Sequence, residues 1–145
     1  MYLVDTDVIS ELRKKDKADR QVVAFFKAAG TEDAPLYLSV VTVGELRRGV
    51  ELIRHRGDRR QAGRLERWLN DLLAEYVEHI LPFDTDIAQV WGRLRVPHPE
   101  NPLDKQIAAT ALVYDLTLVT RNPRHFAATG VKVLNPFEEG SAVSR

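Results

Sequence analysis

Met1-Tyr2-Leu3-Val4-Asp5-Thr6-Asp7-Val8-Ile9-Ser10-Glu11-Leu12 opens the chain, and its change of rhythm at Asp5 decides the fold. Tyr2, Leu3 and Val4 are consecutive apolar strand formers without alternation, the pattern of a strand buried on both faces. Val8, Ile9 and Leu12 then fall at helical spacing, which puts Asp5, Thr6 and Asp7 at a strand-to-helix turn. In open α/β sheets, ligands bind at that carboxyl edge. Two roles are open to Asp5: a helix cap, which Asp suits, or a functional acid.

The same alternation continues outward. Lys14 to Asp19 is a charged connection, and Val22, Val23, Phe25 and Phe26 mark a helix ending near Gly30. Leu36, Tyr37, Leu38, Val40 and Val41 predict a second strand that runs into a helix carrying Val43, Leu46, Val50 and Ile53. Gly57-Asp58 breaks that helix, and Ala62, Leu65, Trp68, Leu69, Leu72, Leu73 and Tyr76 give a longer amphipathic one, so the two form a helical hairpin. Ile80 to Phe83 is a short strand or a connection. Asp84-Thr85-Asp86-Ile87 echoes Asp5-Thr6-Asp7-Val8, but it lacks the buried run before it and is explained by capping. A helix follows over Ile87 to Leu94. Asn101 and Pro102 start another, which reaches about Asp115. Leu116 to Val119 and Val131 to Val133 complete the strands. Strands alternating with helices predict a single α/β domain over residues 1–137 with a parallel sheet, followed by a flexible tail, 138–145.

With 145 residues, one domain can bury roughly 70% of the surface its unfolded chain exposes, without staples. The absence of cysteine excludes disulfides, thiolate metal sites and a cysteine nucleophile. Twenty-one basic and 21 acidic residues cancel, so bulk charge does not advertise nucleic acid. Arg54, Arg56, Arg59, Arg60, Arg64 and Arg67 nevertheless cluster, as a solvated helix face or a phosphate-binding surface. No apolar run approaches the roughly 20 residues of a membrane span, and the N-terminus lacks signal-peptide character, which predicts a soluble cytoplasmic protein.

Two other acids and an amide bear on Asp5. Asp104 shares a helix side with Ile107, Ala108 and Ala111, and a carboxylate facing a core needs a counter-charge. Glu45 completes Thr42-Val43-Gly44-Glu45, which spells a capping box, yet it also follows a buried strand as Asp5 does. Gly49 on the same helix side costs about 1 kcal/mol relative to alanine unless close packing requires it. Asn122 before Pro123 is either an N-cap or a neutral ligand at the same sheet edge as Asp5. Carboxylates drawn to within ~4 Å repel by roughly 4 kcal/mol per pair at an effective dielectric near 20. Such a cluster calls for a hard divalent cation, magnesium or manganese.

Leu3-Val4-Asp5-Thr6-Asp7-Val8-Ile9-Ser10-Glu11, Val43-Gly44-Glu45-Leu46-Arg47-Arg48-Gly49, Asp104-Lys105-Gln106-Ile107-Ala108-Ala109-Thr110-Ala111 and Leu118-Val119-Thr120-Arg121-Asn122-Pro123-Arg124-His125-Phe126 follow one another in the order of a known family. Together they closely resemble PIN-domain ribonucleases, within them the toxin half of type II toxin-antitoxin pairs of the VapC and FitB-like group. Asn135-Pro136-Phe137 resembles that group's ending. The resemblance implies a three-layer α/β/α fold with a central parallel sheet of four to five strands and a protruding helical hairpin. It also implies a homodimer, a higher assembly with a cognate antitoxin, and RNA cleavage by water activated by magnesium or manganese. By position, Asp5, Glu45 and Asp104 match the family's metal-binding acids. Asn122 falls where many members carry a fourth acid, and Asp7 stands where asparagine is common. Thr6, Thr120 and Asn122 would orient water or phosphate, Asp7 would partly restore the missing charge, and Arg121 with part of the Arg54 to Arg67 run would contact the RNA backbone.

Two rivals remain from the sequence. Leu3-Val4-Asp5-Thr6-Asp7-Val8 also resembles the opening of haloacid-dehalogenase-type phosphatases, with Asp5 as nucleophile, but the later lysine and paired acids of that class are not evident. A non-catalytic RNA- or protein-binding module is the other; a repulsive acid cluster serves no purpose there. His55, His79, His98 and His125 show no metal-ligand spacing and are expected to be structural.

Overall fold

The computed structural model describes residues 1–138 and places a five-stranded, all-parallel sheet at the centre, in the order β3-β2-β1-β4-β5. Its strands are β1 Tyr2–Val4, β2 Leu36–Ser39, β3 Ile80–Leu81, β4 Thr117–Val119 and β5 Val133–Leu134. Helices α1 Thr6–Glu11, α2 Arg20–Thr31, α3 Val40–His55, α4 Arg59–Glu75, α5 Thr85–Leu94 and α6 Pro102–Tyr114 connect them. The expected tail lies outside the described residues apart from Glu138.

Period-two side-chain alternation on β1 assigns the layers. Tyr2 and Val4 pack on one face with Val22 and Phe25 of α2, Leu46 and Val50 of α3, and Leu69 and Leu72 of α4. Leu3 points the other way, into Ile107, Ala108 and Ala111 of α6, Leu118 and Phe126. All three β1 residues are buried, which explains why the strand carries no polar alternation. Helices on both faces make the three-layer α/β/α sandwich that the sequence predicts. Gly57, at φ +96, makes the turn between α3 and α4, a conformation that favours glycine.

The structure corrects four local expectations. Val40 and Val41 open α3 rather than closing β2, because Ser39 ends the strand and its hydroxyl caps the helix by accepting from the Val41 amide at 3.0 Å. A good cap outweighs the β-preference of two valines. Thr42 therefore lies inside the helix, and the capping box with Glu45 does not form. The charged connection winds into a 3₁₀ turn over Leu12–Lys17. Gly49 is not crowded: nothing lies within 4 Å of where a Cβ would stand. With no close approach to preserve, Gly49→Ala should stabilise the protein by about 1 kcal/mol through helix propensity. A shift of the urea midpoint to higher concentration at unchanged slope checks this.

Candidate active site

Parallel register aligns the carboxyl ends of β1, β2 and β4 along one edge, so residues far apart in sequence become neighbours. The Asp5 amide continues the ladder by donating to the Val119 carbonyl at 2.9 Å, which sets Asp5 beside Thr120. Asp5 caps α1: its Oδ1 accepts from the Thr6 amide at 2.8 Å and its Oδ2 from the buried Thr120 hydroxyl at 2.8 Å. The Thr120 oxygen in turn accepts from the Asn122 amide at 3.1 Å, and Asn122 Nδ2 donates to Asp7 Oδ2 at 2.9 Å. A closed chain of contacts thus runs from Asp5 through the turn after β4 to Asp7. The Asn122 side chain does not cap the 3₁₀ turn Pro123–Phe126, as an N-cap would.

Glu45 enters from α3. Its Oε1 accepts from the Thr6 hydroxyl at 2.5 Å, and the Thr42 hydroxyl lies 3.1 Å from that same Thr6 oxygen. Thr6 has a single hydroxyl proton, so with Glu45 as its acceptor it must receive the bond from Thr42. Asp104, in the first turn of α6, reaches His125 Nδ1 with its Oδ2 at 2.9 Å. The next residue, Lys105, is buried, but its ammonium donates to the His98 carbonyl rather than to the acids. Arg121 sits exposed beside them, its guanidinium 4.3 Å from the centre of the Phe137 ring.

Electrostatics distinguish these acids from ordinary surface carboxylates. Burial, then the charge of Asp7 and more weakly that of Asp104, push Asp5 up to about 7, against the opposing pull of Thr120 and the Thr6 amide. Asp7 is also raised, chiefly by burial and further by Asp104, with the Arg121 and Val8 amides and the Arg121 charge countering. One of its oxygens, Oδ1, is buried with no hydrogen-bond partner. An orphaned carboxylate oxygen among mutually repelling acids fits a divalent cation, and an all-oxygen donor set fits a hard one. Among the described residues, no three His, Asp or Glu side chains are already gathered as a ligand set. Thr6, Thr120, Asn122 and His125 engage the carboxylates instead.

His125 and Thr42 are contacts that sequence reasoning missed. His125 pairs with an acid 21 positions away, beyond the reach of any spacing rule. The available signal was its place in the turn after β4, at the same edge as Asn122. The arginine cluster divides: Arg54 bridges Glu51 and Glu66 at 2.5 and 2.8 Å, and Arg47 joins Glu66 at 2.7 Å, tying α3 to α4. Arg64 and Arg67 have no ion pair among the described residues.

Comparison with known proteins agrees with this fold. The PIN domain family model matches residues 2–132. Toxin FitB of Neisseria gonorrhoeae is 37% identical over 144 residues, covering 96% of this chain and 100% of that protein. VapC ribonuclease Y4jK of Sinorhizobium fredii is 36% identical, covering 95% and 99%. The solved structure of FitAcB from Neisseria gonorrhoeae superposes with a TM-score of 0.82 at 35% identity, covering 95% of this chain and 99% of that one.

Proposed function

The chain belongs to the PIN domain family, and from that premise we propose that it is a metal-dependent endoribonuclease, the toxin of a toxin-antitoxin pair. The observation that carries the nuclease reading is the gathering of Asp5, Asp7 and Asp104 at one sheet edge, where burial first and then the neighbouring carboxylates raise Asp5 to about 7. The toxin role follows from relatives named Toxin FitB and VapC ribonuclease Y4jK over nearly their whole length.

Asp5 and Asp104 would hold a magnesium or manganese ion, with Glu45 contributing directly or through water. When bound, the ion lowers the pKa of coordinated water and neutralises charge developing on the phosphate. The chain's own residues do the positioning. Thr120 and the Thr6 amide fix Asp5, so its carboxylate does not need to reorganise as charge develops. Thr6 fixes Glu45, while Asn122 holds Asp7 by one oxygen and leaves the other open. Arg121, exposed beside the acids, would meet the phosphate backbone of a single-stranded or looped RNA.

A cognate antitoxin is the partner this role requires. The described residues contain no helix long and apolar enough to cross a membrane. A second copy of the chain would cover the exposed Leu103, Val113 and Tyr114 of α6 in a homodimer. The phosphatase alternative loses its ground because the PIN match takes in the very Asp5 motif that suggested it.

The test is cleavage of a pooled single-stranded RNA by the purified protein in manganese or magnesium. Cleavage should stop on addition of EDTA and return with excess Mn²⁺. Turnover that persists under chelation, or an absence of turnover across the pool with either ion, would overturn the proposal.

A further inference from the structure

A second polar feature lies apart from the acids. The 3₁₀ turn Leu12–Lys17 faces α4 across a groove of about 700 Å³, lined by Arg13, Lys14, Lys15, Lys17, Arg64 and Arg67. Asp71 is the one acid on its wall. Of the six cations only Lys14 is ion-paired among the described residues, to Glu11 at 2.9 Å. Arg13 instead bonds the Ser10 carbonyl and hydroxyl, and Arg64 bonds the Gln61 side chain, so both keep their full charge. Buried Glu11 also accepts from the Asp19 amide at 2.9 Å, which anchors the turn at both ends and holds its lysines in place.

A protein with no net charge concentrates six cations here with one ion pair among them, and a surface of one sign attracts a partner of the other. The groove shares part of its wall with a cavity that reaches one of the acids, Glu45. Arg13, Leu65 and Trp68 line both it and a smaller cavity of about 210 Å³ that reaches Thr6 and Glu45. We propose that this groove is an RNA-backbone track: it binds the phosphates of a single strand several nucleotides away from the bond that is cut. Trp68 and Leu65, at the junction, offer an apolar surface for a base. This inference rests on the ribonuclease reading for its ligand. An acidic protein segment is the competing occupant, but six cations strung along an open groove suit a repeating phosphate better than a locally acidic peptide.

The experiment uses the full chain carrying Lys17→Gln, Arg64→Gln and Arg67→Gln together, three residues outside the acid cluster. Binding of a fluorescein-labelled 20-nucleotide oligouridylate is measured by anisotropy from low to moderate salt, with EDTA present to prevent cleavage. Affinity should fall roughly 10- to 100-fold, and the slope of log K against log salt should become shallower by about 2, near 0.7 for each phosphate that the variant no longer neutralises. With Mn²⁺, cleavage of a tetranucleotide too short to reach the groove should be unchanged, while KM for long RNA rises. Unchanged affinity and slope in the triple variant, with cleavage intact, would overturn the track and leave the nuclease standing. Groove-dependent RNA binding without any metal-dependent cleavage would do the reverse. Loss of polyglutamate binding in the variant, with RNA binding kept, would assign the groove to an acidic protein and overturn the proposal.

Discussion

Asp5→Asn is expected to silence cleavage and, at pH 8, to make the metal-free protein more stable than the wild type. Most substitutions of a 6%-exposed polar residue at the end of a central strand destabilise. The sign inverts here because of charge. The Asp5 carboxyl is raised from 3.8 to about 7 by burial, then by Asp7 and, less, by Asp104. Between those values the folded state binds a proton that the unfolded state has released, so stability falls as pH rises through the interval. Above about 7 the penalty is complete, on the order of 4 kcal/mol from 1.36 kcal/mol per pKa unit before the site relaxes. Asparagine removes the charge yet keeps the contacts, since its carbonyl can accept from the Thr6 amide and its NH₂ can donate to the Thr120 oxygen. Urea unfolding of the metal-free proteins should show a gain of roughly 2–4 kcal/mol at pH 8 and little difference near pH 4. Cleavage should meanwhile drop below detection. Equal stabilities at pH 8 would mean that the Asp5 carboxylate is not under electrostatic strain.

Asp104→Asn should cost at least on the order of 10³ in cleavage rate while leaving the fold and its thermal midpoint nearly where they were. Asp104 stands half-buried in the first turn of α6, where its charge raises both Asp5 and Asp7. Its contact to His125 Nδ1 can be kept by an amide oxygen, so the change removes charge and little else. Calorimetric titration with Mn²⁺ should show the affinity disappearing along with the activity. A purified variant that still cuts RNA would remove Asp104 from the metal site, whatever its neighbours do.

The two variants separate what the acids share. Both carry negative charge to one edge, and it is the burial of Asp5 that ties its substitution to the pH dependence of stability. The pairing also explains how a chain with equal numbers of acids and bases can concentrate both signs locally. Acids collect at the carboxyl edge of the sheet, whereas Arg13, Lys17, Arg64 and Arg67 collect beside α4.

Much of this was legible along the chain. Tyr2-Leu3-Val4 followed by Asp5 marked a doubly buried strand and its turn because burial on both faces suppresses alternation, a property of the residues themselves. The α3–α4 hairpin, α6 and the strand before Thr120 could be read from apolar spacing and breakers for the same reason. Val40, Val41 and Thr42 misled because local propensity favoured strand and capping box, and a neighbouring Ser39 hydroxyl overrode both. Gly49 suggested crowding that the packing does not contain.

What the sequence by itself determined is the alternation of strands and helices and the position of Asp5 and Asp104 at the start of a helix, since periodicity and caps act between residues a few positions apart. Only the tertiary structure decided that Thr120 would bind Asp5, that Thr6 would hold Glu45, that Asn122 would face Asp7, and that His125 would meet Asp104. Those contacts join residues 21 to 115 positions apart. They exist because parallel strands bring their carboxyl ends to one edge, and no local pattern encodes which side chains arrive there together.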